Sequence, residues 1–105
     1  MNPKRGELWL ADLGLAAKTR PVVIISRDDS DPPRRLYVYV PLSTQNRESR
    51  YEVEISGYPE LRAESVANVQ GIGSLPESRF LRKLGVLKPE DMERVQEALR
   101  FLLVL

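Results

Sequence analysis

Arg20-Pro21-Val22-Val23-Ile24-Ile25-Ser26 is the stretch that decides the fold. Four consecutive β-branched apolar residues leave no polar face. The run therefore suits a strand buried on both sides, which needs cover from two directions. Upstream, Gly6-Glu7-Leu8-Trp9-Leu10-Ala11-Asp12-Leu13 alternates in part and reads as the preceding strand. Downstream, Arg27 to Pro33 is a polar, proline-ended loop, and Leu36 to Leu42 is the next strand. Gln45 to Arg50 is a charged loop, and Tyr51-Glu52-Val53-Glu54-Ile55 alternates as a half-exposed strand should. Ser65 to Gln70 reads as a further strand, ended by Gly71 and Gly73, with a short strand around Arg79 to Leu84. Gly71-Ile72-Gly73 lacks the Lys-Ser/Thr and the helix that a phosphate loop requires, so it marks a bend or a close backbone approach.

The period changes at Pro89. Met92, Val95, Leu99 and Leu102 fall on one helical face, Pro89 suits the first helical position, and Glu90, Asp91 and Glu93 complement the positive end of the helix dipole. The expected architecture is mainly β with a C-terminal helix: a small barrel of short strands with the helix over one open side or end.

The chain has 105 residues, enough for one domain spanning 1–105, and its 42% hydrophobic and 30% charged content suits a folded soluble protein. No apolar run is long enough to span a bilayer, so no membrane partner is expected. The first residues show no signal-peptide pattern, and a cytoplasmic location follows as the simple expectation. There are no cysteines and no histidines. Disulfides, zinc sites built from Cys and His, and any mechanism with a histidine general base are excluded. Residues 1–50 hold nine Lys/Arg against six Asp/Glu, and residues 51–105 seven against nine, so the front half is mildly basic and permits a phosphate-binding surface. Arg34-Arg35, Arg47 and Arg50 read as solvated loop charge, and Trp9, inside an apolar strand, as core or a dimer contact.

Several of these stretches together resemble the MazF/PemK toxins. Arg5-Gly6-Glu7-Leu8-Trp9-Leu10-Ala11-Asp12-Leu13 is similar to that family's opening strand, Thr19 to Ser26 to its "TRPVVIIS", and Val40-Pro41-Leu42-Ser43-Thr44-Gln45 to its "VPLTT" strand end. Glu52 to Ile55, Ser65-Val66, Arg79 to Gly85 and the helix Glu90 to Leu99 keep the family order. The resemblance implies an SH3-like barrel that works as a homodimer. It implies a metal-independent endoribonuclease, without a cofactor, that cuts single-stranded RNA. It also implies a cognate antitoxin whose acidic segment occupies the RNA groove. Carried over position by position, it makes Arg20 and Ser43 the catalytic residues, with Lys18, Thr19, Thr44, Gln45 and Gln70 on the substrate. Relatives often carry a longer "GSEQ" loop between the first two strands, where this chain has only Gly14 to Thr19. Relatives also often carry an acidic "DQ" and a following "RT" where Asn68 to Ser74 has neither carboxylate nor arginine.

RNA cleavage by 2′-OH attack needs alignment, charge stabilisation and proton movement. Arg20 supplies the second through its planar fork, and Ser43 a hydrogen bond to the phosphate. The base stays open between water and a carboxylate such as Glu48 or Glu52. Two other readings stand beside cleavage: a barrel that binds RNA or an antitoxin without cutting, and a toxin directed at a protein, as gyrase-poisoning relatives of the fold are. Phe101-Leu102-Leu103-Val104-Leu105 is apolar on every face, more than one barrel can cover, which points to a second subunit or the antitoxin.

Overall fold

The computed structural model describes residues 2–14, 18–61 and 64–105. Seven strands precede one helix: β1 (Glu7–Asp12), β2 (Thr19–Ile24), β3 (Leu36–Ser43), β4 (Glu52–Ile55), β5 (Ser65–Asn68), β6 (Gly73–Pro76), β7 (Phe80–Val86) and α1 (Pro89–Leu103). All recorded pairings are antiparallel, in the order β4-β5-β3-β2-β1-β7, with β6 added on β3.

The double-sided burial expected of the Val22–Ile25 run holds, and it divides the interior in two. Val22 and Ile24 join Trp9, Ala11 and Phe80, with Tyr37, Tyr39 and Leu75 packed against them. These residues come from β1, β2, β3, β6 and β7, which curl around them as a barrel-like unit whose sheet does not fully close. Register shifts between Leu8 and Trp9 and between Leu10 and Ala11 bend β1 against β7. Trp9 is therefore core, its Nε1 donating to Glu7 Oε1 at 2.9 Å. Val23 and Ile25 face the other way, into a larger cluster with Leu8, Val40, Leu42, Val53, Ile55, Val69, Val95 and Ala98. The helix covers this outer face of the sheet rather than an end of the barrel. Met92, Leu99 and Leu102 flank its buried Val95, as the periodicity requires.

Two expectations change. The strand from Ser65 ends at Asn68, because Asn68 Oδ1 accepts the Gln70 N–H at 3.0 Å and turns the chain into a 3-10 turn, Val69–Gly71. The strand β6 carries no alternating signal in Gly-Ser-Leu-Pro, and its pairing comes from β3, where Tyr37 opposes Leu75 and Tyr39 opposes Gly73. The glycines allow close approach, as expected. A Cβ on Gly71 would lie 2.6 Å from Pro41 Cγ, and one on Gly73 would lie 2.7 Å from the Tyr39 hydroxyl oxygen.

A buried polar tie docks the helix. Tyr58 donates to Asp91 Oδ2 at 2.5 Å and accepts the Lys88 N–H at 2.8 Å. Arg94 donates to Asp91 Oδ1 at 2.6 Å and to the Glu54 carbonyl at 2.7 Å. Burial would raise the Asp91 carboxyl, but the hydrogen bonds from Tyr58 and Arg94 outweigh it and hold the group below its ordinary 3.8. Burial, and next the bond to Asp91, push the Tyr58 hydroxyl up to about 12. Tyr58→Phe removes a donor to Asp91 and the acceptor of the Lys88 N–H, and is expected to cost about 1–3 kcal/mol in denaturant unfolding. The lowered Asp91 value means its contribution is present above the ordinary carboxylate range and is lost as pH falls through the folded value. Stability of the wild type should therefore drop more steeply on acidification than that of Asp91→Asn. Parallel acid limbs would remove Asp91 from this role.

Candidate active site

The paired part of β2 and β3 sets Val22 opposite Pro41, Val23 opposite Val40 and Ile24 opposite Tyr39. Continuing the same antiparallel register two residues further puts Arg20 level with Ser43. Arg20 lies across β1 from Ala11, on the barrel-facing side of β2 shared with Val22 and Ile24, but at the rim, where it is exposed. Lys18, Thr19, Arg20, Pro21, Leu42, Ser43 and Thr44 border one open depression of about 400 Å³.

Local backbone geometry fixes its two walls. On the first, Leu13 N–H donates to the Lys18 carbonyl at 2.7 Å and Lys18 N–H to the Gly14 carbonyl at 2.8 Å, closing the turn between β1 and β2. Gly14 and Lys18 both adopt positive φ there. Asp12 Oδ1 accepts the Gly14 N–H at 2.9 Å and lies 3.6 Å from Arg79 Nη2, which ties the base of this turn to the start of β7. Residues 15–17 of the loop lie outside the described residues. On the second wall, the Gln45 N–H donates to Ser43 Oγ at 3.1 Å. That backbone bond occupies one lone pair of the oxygen and leaves the hydroxyl proton to donate to a ligand.

Of the residues expected at the site, Lys18, Thr19, Arg20, Ser43 and Thr44 come together on this depression. Gln45 contributes its backbone to Ser43, while its side-chain oxygen accepts from Arg47 Nη2 at 3.1 Å. Gln70 sits exposed in the Val69–Gly71 turn and does not border the depression. Pro21 and Leu42 form its apolar floor. The strand register could have identified them, since both flank the level pair Arg20 and Ser43.

The two carboxylates considered as bases lie elsewhere. Glu48 and Glu52 line a separate recess beside α1, with Arg50, Arg94 and Phe101. Glu52 accepts from Ser49 Oγ at 2.8 Å, the Ser49 N–H at 3.1 Å and the Arg47 N–H at 3.2 Å. The Ser49 hydroxyl, with these backbone bonds, holds it below its ordinary value. Glu52 is thus the brace of the 47–52 loop, and its lowered value makes it a weak proton acceptor. Among the described residues, no carboxylate borders the Arg20–Ser43 depression. It can bind and polarise an anion through Lys18, Arg20 and the hydroxyl residues Thr19, Ser43 and Thr44. A proton from a ligand hydroxyl must leave through water or a group beyond this lining.

Comparison with known proteins identifies the family. Residues 4–103 match the family model of the PemK-like, MazF-like toxin of type II toxin–antitoxin systems. MazF5 of Mycobacterium tuberculosis, described as a probable endoribonuclease, is 30% identical over 98 residues, covering 92% of this chain and 89% of the relative. An endoribonuclease from a mycobacterial species, solved in complex with its cognate antitoxin, superposes with a TM-score of 0.85 at 26% identity, over 98% of this chain and 96% of that one. MazE–MazF of Deinococcus radiodurans shares the fold, with a TM-score of 0.81 at 19% identity over 98% of this chain and 96% of that one. The chain belongs to the PemK-like, MazF-like toxin family of type II toxin–antitoxin systems.

Proposed function

We propose that this protein is a sequence-specific endoribonuclease toxin that cuts single-stranded RNA at the Arg20–Ser43 depression. The observation that carries the reading is the placement of an arginine and a hydroxyl level with each other on neighbouring strands, at the mouth of one depression. In the reaction, the 2′-oxygen forms a bond to the adjacent phosphorus, the phosphorus–5′-oxygen bond breaks, the 2′-proton leaves and a proton reaches the 5′-oxygen. Arg20 offsets the charge that builds on the phosphorane oxygens and can hand a proton to the departing oxygen. Ser43 donates to a phosphate oxygen, its own oxygen held by the Gln45 N–H. The 2′-proton passes to water, since the described residues of the lining offer no carboxylate. Arginine supplies the charge that a metal supplies elsewhere, so the reaction proceeds without one. The substrate is unpaired, because only unpaired nucleotides let the 2′-oxygen line up with the bond that breaks.

The cognate antitoxin and RNA compete for the same surface, and the protein acts in the cytoplasm. None of the helices in the structure is long and apolar enough to cross a membrane. The exposed apolar residues at the end of α1 and just beyond it support dimerisation. Leu103 is 49%, Val104 89% and Leu105 87% exposed, beyond the reach of the sheet that covers Val95 and Ala98. A two-fold partner would bury that surface isologously and set two copies of Arg20 along one groove.

Purified protein with mixed-sequence RNA in EDTA separates the readings. Cleavage supports this one, binding without cleavage points to a barrel that only binds, and no interaction points to a protein target. In that assay Arg20→Ala should stay folded and lose about two orders of magnitude in turnover, the typical worth of a positioned charge-stabilising donor. Ser43→Ala should lose about tenfold, as befits one neutral hydrogen bond. A folded Arg20→Ala protein with near wild-type turnover would sink the assignment, and a larger loss at Ser43 would invert the two roles.

Sedimentation at micromolar concentration should show a dimer, and Leu103→Asp should shift it toward monomer. A wild-type monomer that cleaves at full rate would remove the shared groove.

A further inference from the structure

Thr44 borders two cavities. Beyond the Arg20–Ser43 depression lies a more enclosed recess of about 160 Å³, lined by Thr44, Asn46, Glu54, Ser56, Glu64, Ser65 and Val66. The two differ in chemistry. The first carries Lys18 and Arg20; among the described residues, the second is lined by no cation and holds two carboxylates among hydroxyls and an amide. An RNA strand seated with its phosphate on Arg20 would be repelled if a second phosphate entered beside Glu54 and Glu64. A base, uncharged and rich in N–H donors, would not. At about 160 Å³ the recess is of the size of one base.

We propose that this recess seats one guanine of the RNA beside the phosphate that is cut, with Glu64 reading its Watson–Crick edge. The inference rests on the cleavage site lying at Arg20 and Ser43. The choice of base follows from hydrogen-bonding chemistry. A carboxylate accepts two parallel bonds, and guanine alone among the four bases presents two adjacent donors, N1–H and N2–H, on that edge. Adenine and cytosine offer one amino group next to a bare acceptor nitrogen, and uracil offers one N–H between two oxygens. Such acceptors would face the carboxylate with no proton between them. Glu64 is the reader rather than Glu54, because Glu54 Oε2 already accepts from Asn46 Nδ2 at 3.3 Å. Asn46 is itself occupied, its Oδ1 accepting the Glu48 N–H at 2.8 Å, so it serves as wall. The Thr44 and Ser56 hydroxyls, on the same lining, are of the kind that can donate to guanine O6.

The test maps wild-type cuts in mixed-sequence RNA by sequencing, then measures kcat/KM on an oligonucleotide carrying the preferred site. A guanosine should stand at one fixed position beside the cut. Replacing it with inosine, which keeps N1–H and lacks the amino group, should lower kcat/KM by roughly 10- to 100-fold, the usual range for losing part of a two-bond base contact. Glu64→Gln sets an amide N–H against one of the guanine donors. It should bring guanosine and inosine to within about twofold of each other, while Glu54→Gln keeps most of the preference. Wild-type cleavage with no fixed guanosine, or Glu64→Gln with the full guanosine preference, overturns this inference and leaves the Arg20–Ser43 site standing. No RNA cleavage by the wild type at all would take both down together.

Discussion

Both edges of β3 are hydrogen-bonded, and to three different strands. On one edge, Tyr39 to Pro41 meet β2; on the other, Leu36 to Tyr39 meet β6 and Leu42 to Ser43 meet β5. The strand's Tyr37 and Tyr39 pack on the barrel-like unit, and its Val38, Val40 and Leu42 on the helix-covered layer. The two partners on the second edge follow from backbone chemistry: the N–H and C=O groups inside a sheet must find partners, and neither β5 nor β6 alone pairs with both halves of β3. The Val69–Gly71 turn sits where β5 gives way to β6, pressed on Pro41, and only glycine fits at position 71. A strand held on both edges is a rigid mount. Ser43 stands at its end, one residue beyond the buried Leu42, so its position is set by the sheet rather than by the loop that follows.

The same division explains why the candidate site lies at a rim. Residues 22 to 24 of β2, with Ile25 just beyond it, are needed as core on both faces, which leaves no room for chemistry there. Arg20 is the first position on the barrel-facing side where the chain reaches solvent, two residues before the buried Val22. A guanidinium there keeps its stem against the barrel end and its charge in water, where an anion can reach it. The polar tie of Tyr58, Asp91 and Arg94 serves the other layer. It holds the start of α1 to β4 through the Glu54 carbonyl, so β4 and β5 stay under the helix.

Much of this was legible in the residues. The unbroken apolar run after Pro21 announced a strand with two buried faces. The change of period at Pro89 announced the helix, and the glycines at 71 and 73 announced close approach. What was not legible depended on partners far away in the chain. Gly73 to Pro76 has no pattern of its own and becomes a strand because β3 offers an open edge. Asn68 ends its strand by bonding to Gln70, a choice that side-chain propensity leaves balanced against two more residues of ladder. The site divides in the same way. Lys18, Thr19, Arg20, Ser43 and Thr44 were found from family wording and meet in space, because they sit where paired strands end. Gln70 was carried by the same wording onto a turn that faces elsewhere, and composition alone would have suggested none of these residues.

The carboxylates show why residue type is a weak guide to role. Glu52, Asp91 and Glu54 are all carboxylates, yet each is set by what its oxygens already hold. Glu52 is saturated by the Ser49 hydroxyl and backbone N–H groups, so its lowered proton affinity follows from bracing a loop. Asp91 is saturated by Tyr58 and Arg94. Glu54 has one oxygen engaged by Asn46. An acceptor that already receives hydrogen bonds in the resting fold gives up that stabilisation when it takes a proton, which makes it a poor base at any distance. The depression itself then works by charge and alignment: an arginine with a planar fork for phosphate oxygens, and a serine whose oxygen accepts the Gln45 N–H. Such a site moves few protons and relies on holding the phosphate where the chain's own 2′-hydroxyl can reach it. The rigidity of β3 and the order of β2 are therefore part of the chemistry, and not only its support.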